Sequence, residues 1–484
     1  MELDQSRTPL FSAIKMIEAK GITPFDVPGH KRGKGLKELK EHLGEQVFEM
    51  DINAMVELDN IFNPSGVIKE AEELAADLYG AEKSFFLVNG TTSGLQTMIM
   101  TLCKTGKKII LPRNVHRSIT AGLILSGAVP IYLKPEYNNQ LGIAMGVTPE
   151  NVEKTIKENP ETEVLLLTNP TYYGVTSNIK KIIEIAHSHG LYVIVDQAHG
   201  SHFRFHKDLP LCALEAGADM IAMSLHKTGG SLTQSSLLMV NNKSIDADIV
   251  RTYLNLIQTT SPSHILLSSI DVARKQLALE GNKLLEQVLE VSRYAREKIN
   301  NLESFYAFGP DLLGNAGVFA FDESKLGIYV KELGLTGYEV RDILYYEYNI
   351  QIEMADLYNI LCIISLGDDY KSIDRLINAL EDIKEKHCKA AYDQFFEKEL
   401  IIPEVIVSPR DAFYSRKKVV NLEDSIGEIS GESVMAYPPG IPIIAPGERI
   451  TEEIIEYINL LKEQNSSMQG PVDPLLNQIR VLGF

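Results

Sequence analysis

Leu191-Tyr192-Val193-Ile194-Val195-Asp196-Gln197-Ala198-His199-Gly200 and Met220-Ile221-Ala222-Met223-Ser224-Leu225-His226-Lys227-Thr228-Gly229-Gly230 are built alike. Each is a short apolar run that stops at a cluster of polar, chemically capable side chains. Runs of this length next to glycine are strand-sized. They are continuous rather than alternating, which predicts strands buried on both faces, as in a mostly parallel sheet covered by crossover helices. The polar clusters then fall at strand ends.

The same pattern extends toward the N-terminus. Strands are predicted over 84–88, 108–111, 129–133 and 164–168, alternating with helices over 93–102, 117–125, 149–158 and 179–187. A helix from Val67 runs through Leu74 and Leu78 and stops at Gly80. Before it, a short helix over 9–19 leads into Pro24-Phe25-Asp26-Val27-Pro28-Gly29-His30-Lys31-Arg32-Gly33-Lys34-Gly35, where Pro and Gly predict a loop or arm. After the sheet, a long helix over 268–302 leads to a smaller α/β unit with a strand at 360–365 and a helix at 373–384. Prolines 403, 409, 438, 439, 442, 446 and 471 break up the rest, with a helix near 452–461. The predicted division is an arm over 1–60, a large domain over 61–302, a small α/β domain over 303–387 and a C-terminal domain over 388–484.

Composition excludes several classes. With 484 residues, 44% of them hydrophobic, the chain can bury a large core. A formal charge of −18 argues against a nucleic-acid or anionic-membrane partner. Met1-Glu2-Leu3-Asp4-Gln5 lacks the basic and apolar regions of a signal peptide, and no apolar run is long enough for a bilayer. Cys103, Cys212, Cys362 and Cys388 are far apart and form no metal-type pair. Reduced thiols and a cytoplasmic location are expected.

Five polar clusters follow predicted strands: Asn89-Gly90-Thr91-Thr92-Ser93, Asn114-Val115-His116, Asn169-Pro170-Thr171-Tyr172, Asp196 to Gly200, and Ser224 to Lys227. Ligands of open α/β sheets bind outside the carboxyl ends of the strands, so the five converge on one site. A lysine and a carboxylate on neighbouring strand ends are what pyridoxal phosphate requires. The amine forms a Schiff base with the aldehyde, and the carboxylate keeps the pyridine nitrogen protonated. Free N–H groups at the helix start after Asn89 suit the phosphate, although plain N-capping by Thr or Ser explains the same residues. Lys227 alone reads as a surface lysine and Asp196 alone as a cap; together they read as cofactor partners. His116 reads either as a helix-start residue or as a ring stacked on the cofactor. A proline-rich linker is one reading of Ala436 to Glu448; its apolar content favours a packed loop, with Glu448 able to pair with a cation.

These residues resemble the bacterial ornithine/lysine/arginine decarboxylase family. The resemblance covers nearly the whole chain. It rests on Pro28-Gly29-His30-Lys31, Pro112 to Ser118, Asn169 to Gly174, Ser224 to Lys227 with Gly230 to Gln234, Pro409 to Tyr414, and Tyr437 to Glu448. The short biosynthetic arginine decarboxylases of Gram-positive bacteria are the most similar members. The resemblance implies a type I pyridoxal phosphate, aspartate-aminotransferase-like large domain with a small α/β domain and a C-terminal α+β domain. It implies Lys227 as the Schiff-base lysine, Asp196 as the pyridinium partner, His116 stacked on the ring and Ala198 on its other face. Thr91, Thr92, Ser224 and His226 would contact the phosphate, and His199 would line the site. Two segments depart from the family. Gln197 stands where it often has Glu, and Leu58-Asp59-Asn60-Ile61-Phe62 stands where it often has Leu-Asp-Asp-Leu-His.

The implied reaction is decarboxylation of a basic amino acid: arginine first, lysine or ornithine as alternatives. Lys227 or a nearby histidine would be the proton donor, and Glu448 would receive the substrate's cationic end. A homodimer or higher homo-oligomer with shared sites is expected. Rival readings are an aminotransferase or carbon–sulfur lyase, with Arg341 the one candidate for the substrate carboxylate, and a non-catalytic paralogue. A dinucleotide-binding oxidoreductase is disfavoured, because no G-x-G-x-x-G follows the first strand.

Overall fold

The structure is a computed structural model that describes residues 3–53, 56–389, 401–436, 441–464, 466 and 468–483. Tyr437 to Gly440 of the proline-rich segment lie outside the described residues. The chain divides into two compact units, each discontinuous in sequence. One holds 1–101, 195–207 and 211–285; the other holds 102–194, 208–210 and 286–484.

In chain order the helices are α1 (Pro9–Ala19), α2 (Lys37–Leu43), α3 (Glu45–Met50), α4 (Val67–Tyr79), α5 (Gly90–Leu102), α6 (Arg117–Ser126), α7 (Pro149–Glu158) and α8 (Ile179–Ser188). The strands are β1 (Lys83–Leu87), β2 (Lys108–Pro112), β3 (Val129–Leu133), the two-residue β4 (Tyr137–Asn138) and β5 (Ile143–Ala144), β6 (Val164–Thr168), β7 (Val175–Thr176), β8 (Tyr192–Asp196), β9 (Met220–Met223) and β10 (Ser236–Val240).

In the first unit the strand order is β1-β10-β9-β8. β10 runs antiparallel to both neighbours, with Leu238 opposite Phe85 and Ala222. β10 is a correction to the expected strand series. Its five residues are all buried, but it opens with Ser236 after a Gly- and Ser-rich turn, which hid it. The arm is also more regular than expected. α2 and α3 are only 7 and 6 residues long, too short to show a helical apolar stripe.

Asp59 explains where α4 starts. Its carboxylate accepts from the backbone N–H groups of Asn60, Ser65 and Gly66. Burial opposes that charge, but the N–H donors outweigh it and hold the Asp59 carboxyl below its ordinary range. A stripe of Ile68, Ala71, Leu74, Ala75 and Tyr79 then faces the core, and Gly80 ends the helix in a left-handed conformation at φ +73°. α5 owes its approach to the sheet to Gly94. A Cβ there would stand 2.9 Å from Leu87 Cδ1 and 3.1 Å from the Ala222 methyl.

In the second unit β8-β6-β2-β3 continue in that order, and β2 is parallel to β3 and β6. β8 begins in this unit and ends in the first. A four-stranded antiparallel sheet follows, from Tyr306–Phe308, Lys325–Tyr329, Asn359–Ile363 and Met354–Ala355, flanked by helices Gly337–Tyr348 and Tyr370–His387. The described residues of the C-terminal part have two small antiparallel sheets and the helix Glu452–Glu463 around Leu422, Val434, Ile444, Ile454 and Val481, in line with an α+β domain. These strands are two to five residues long, too short for alternation to be read. The long helix His264–Asn300 runs 37 residues, close to its expected span.

Candidate active site

The first unit gathers most of the predicted site at the ends of β8, β9 and β10 and the start of α5. Two backbone bonds hold the loops after β8 and β9 together: Gln197 N–H donates to the Ala222 carbonyl at 2.9 Å, and Ser224 N–H to the Ala198 carbonyl at 3.3 Å. Lys227 follows in the single turn Leu225–Thr228, half-buried. Its Nζ lies 2.8 Å from His199 Nε2. His199 itself is buried.

Asp196 is the last residue of β8 and is buried. Among the described residues its one hydrogen bond comes from Ala198 N–H, at 3.1 Å. Burial pushes its carboxyl up to about 6, against the smaller opposing pulls of that N–H and of Lys227. His226 Nδ1–H donates to the Ser235 carbonyl, 2.9 Å away; burial, with Lys227 beside it, lowers its pKa.

Thr91 sits in the first turn of α5. Its Oγ1 is 2.6 Å from Ser224 Oγ and 3.0 Å from Ser236 Oγ, so three hydroxyls cluster beside a helix start whose first N–H groups lack intrahelical partners. Thr92 is partly exposed next to it. Ser236 went unnoticed in the sequence; the one available signal was a hydroxyl opening an apolar run.

Gln197 organises the loop. It is fully buried. Its Nε2 donates to the Gly200 carbonyl at 2.9 Å and to Cys212 Sγ at 3.4 Å, and its Oε1 accepts from Ala213 N–H at 2.7 Å.

These residues fit pyridoxal phosphate. A buried carboxylate with a single N–H donor has acceptor capacity left for a pyridinium N–H. An amine stands at the neighbouring strand end, and a hydroxyl cluster at a helix start suits a phosphate.

Two predicted residues belong to the second unit. His116 is the N-cap of α6. Its side chain accepts from Ser118 N–H, and Nδ1 lies 2.8 Å from Ser118 Oγ. Glu448 corrects an expectation. Arg113, the residue after β2, donates from Nη1 to Glu448 Oε1 at 2.6 Å and from Nη2 to Oε2 at 3.0 Å. Ala445 N–H donates to Oε2 at 2.7 Å. Both side chains are buried, and the guanidinium lies 4.7 Å from the Tyr132 ring centre. Burial would lower the Arg113 pKa, but Glu448 and Tyr132 raise it above its ordinary value. A carboxylate so engaged has its charge already balanced and is not free for a substrate cation. Arg341, the candidate of the aminotransferase reading, bonds its neighbour Asp342 at 2.8 Å and lies over Tyr338.

The chain is 44% identical over 484 residues to the arginine decarboxylase of Bacillus subtilis (strain 168), covering 99% of both. It is 43% identical over 483 residues to the arginine decarboxylase of Halalkalibacterium halodurans, covering 99% of this chain and 98% of that one. The fold matches the crystal structure of a Francisella novicida lysine decarboxylase with a TM-score of 0.84 at 23% identity, covering 98% of this chain and 81% of the other. Residues 8–372 match the model of the Orn/Lys/Arg decarboxylase major domain, and 389–471 match that of the Orn/Lys/Arg decarboxylase C-terminal domain. Lys227, Asp196 and the hydroxyl cluster all fall within the first of these spans, and the chain belongs to the Orn/Lys/Arg decarboxylase family.

Proposed function

We propose that this protein releases the α-carboxylate of L-arginine as CO2 and yields agmatine, with pyridoxal phosphate as cofactor. The carrying observation is the buried, sparsely bonded Asp196 at the end of β8 and Lys227 just after β9, in a chain that shares its full length with arginine decarboxylases. When bound, the cofactor supplies the electron sink for the bond that breaks. Lys227 anchors its aldehyde carbon. Asp196 holds a proton on the pyridine nitrogen, an interaction that also relieves the cost of its own buried charge. Thr91, Thr92, Ser224 and His226 would hold the phosphate and Ala198 would leave room at one ring face; the stacking role of His116 is carried over from the family resemblance alone.

The four-part division at residues 60, 302 and 387 is carried into this reading. So is a homodimer-based assembly in which the arm with Pro28-Gly29-His30-Lys31 completes a neighbouring site. A cytoplasmic location is part of this reading; no helix among the described residues is long and apolar enough to cross a membrane.

The test is CO2 release from arginine, lysine and ornithine in parallel. Arginine should be decarboxylated fastest. Preference for lysine or ornithine would replace the substrate but keep the chemistry. Light scattering tests the assembly, since a fully active monomer would refute shared sites. The purified protein with pyridoxal phosphate should be yellow and should bleach with borohydride.

A further inference from the structure

We propose that His199 is the proton store of this site: it takes a proton from Lys227 when that amine bonds to the cofactor, and returns one through Lys227 to the substrate carbon that has lost CO2. This rests on the functional reading above and names the group that moves the proton.

The geometry is specific. His199 Nε2 is 2.8 Å from Lys227 Nζ, hydrogen-bond distance. His199 is buried, and its loop is held by Gln197 from inside, through Gly200 and Ala213. The ring therefore faces the amine from a fixed position. Asp196 is committed to the pyridine nitrogen in this reading and cannot serve as the store as well. His226 has Nδ1 committed to the Ser235 carbonyl.

The chemistry requires such a group. An amine must be neutral to attack an aldehyde, and an ammonium has three protons and no lone pair. Imidazole can accept a proton in one step and release it in the next near neutral pH. In turnover the C–C bond to the carboxylate breaks, CO2 leaves, and the electron pair stays on the substrate side. The Lys227 ammonium gives a proton to that carbon and a C–H bond forms. The neutral Lys227 amine then displaces the product amine. One proton is consumed per CO2 released, and it enters from water through His199. A proton delivered to the cofactor's own carbon would instead end in abortive transamination.

The experiment compares wild type with His199→Gln and His199→Phe. Gln keeps a hydrogen-bonding partner for Lys227 but cannot carry a proton; Phe removes both functions and tests the ring's volume. Three quantities are read: kcat against KM for arginine, the fraction of turnovers ending as pyridoxamine phosphate, and the rate at which cofactor-free protein turns yellow on adding pyridoxal phosphate. For both variants kcat should fall roughly 100-fold, the scale of general acid–base catalysis, with KM nearly unchanged. The pyridoxamine fraction should rise about 10-fold. Yellowing at pH 7 should slow about 10-fold and recover as the pH approaches about 10, the ordinary lysine range, where hydroxide takes the amine's proton in place of His199. A lower kcat with wild-type partition and wild-type yellowing would overturn the proposal and leave His199 a packing residue. Wild-type values throughout in either variant would overturn it as well. If wild-type protein takes up no pyridoxal phosphate, the functional reading itself fails and this proposal falls with it.

Discussion

Asp196 and Glu448 are both buried carboxylates, yet they are treated in opposite ways. Glu448 is well paired: two charge-assisted bonds from Arg113 and one from Ala445 N–H reach its oxygens. Asp196 has one backbone N–H, and burial pushes its carboxyl up to about 6. Folding alone explains Glu448, because a buried charge is tolerable when it is paired and hydrogen-bonded. It does not explain Asp196, which is held at a net cost. A charge buried without adequate partners marks a place built for something that arrives later. Judged by type and burial alone, the two residues are equivalent; only the count of donors separates them.

The largest test of this contrast is Lys227→Ala. Turnover should be abolished and the yellow colour lost, while circular dichroism reports an intact fold. Retained colour together with retained rate would remove Lys227 from the chemistry and leave Asp196 without a role.

Next in size is Glu448→Ala. It strands the buried Arg113 guanidinium and should destabilise the protein by about 3–5 kcal/mol in urea unfolding. The double variant Arg113→Met with Glu448→Met should recover most of that loss, because it removes both charges and keeps volume. If Glu448→Ala is as stable as wild type but raises the KM for arginine, the assignment of the two carboxylates must be reversed.

Asp196→Asn sharpens the comparison from the other side. The rate should fall about 100-fold, near 3 kcal/mol, through loss of the pyridinium partner. Stability should move oppositely in the cofactor-free protein. Asp196 ionises at its ordinary 3.8 when unfolded and at about 6 when folded. Between those values the folded chain keeps a proton that the unfolded chain has released. The group's stabilisation is thus complete below pH 3.8 and is lost as pH rises through 6. That loss is on the order of 3 kcal/mol. At pH 7 the cofactor-free Asn variant should therefore be the more stable, and its slope between pH 4 and 6 should be shallower. Equal slopes would show that Asp196 is satisfied after all.

The smallest effect belongs to Thr91→Val. Losing one hydroxyl from the cluster with Ser224 and Ser236 should weaken cofactor affinity by about 1 kcal/mol, measured by dialysis, with kcat little changed.

Sequence reading reached the two sides of this contrast unequally. β6 and β9 appear where their apolar runs predict them, because a doubly buried strand has no polar positions to blur its ends; half-buried β3 and the helix α7, opened by Pro149 behind the Thr148 cap, also keep their expected bounds. Asp196 draws attention because it ends such a run, and Lys227 because it follows closely on another. The Arg113–Glu448 pair was not: its partners are 335 residues apart. Nothing in local pattern marks an arginine after a strand as half of a buried ion pair. Glu448 was therefore read as a cation site, which it is, for a cation supplied by the chain itself.

Gln197 sets a limit on how this lineage can drift. Its amide donates toward a carbonyl and a sulfur and accepts from one N–H, all inside the core. Glutamate is nearly the same size but gives up both donors. In this chain it would face the Gly200 carbonyl lone pairs, one residue from a carboxylate already short of partners. Exchange between the two therefore crosses a fitness valley unless a compensating change around Gly200 or Cys212 supplies the missing donor first. The pairing of residue 197 with residue 212 should then behave as a single inherited character, and ancestral reconstructions that alter one without the other should yield poorly folded protein.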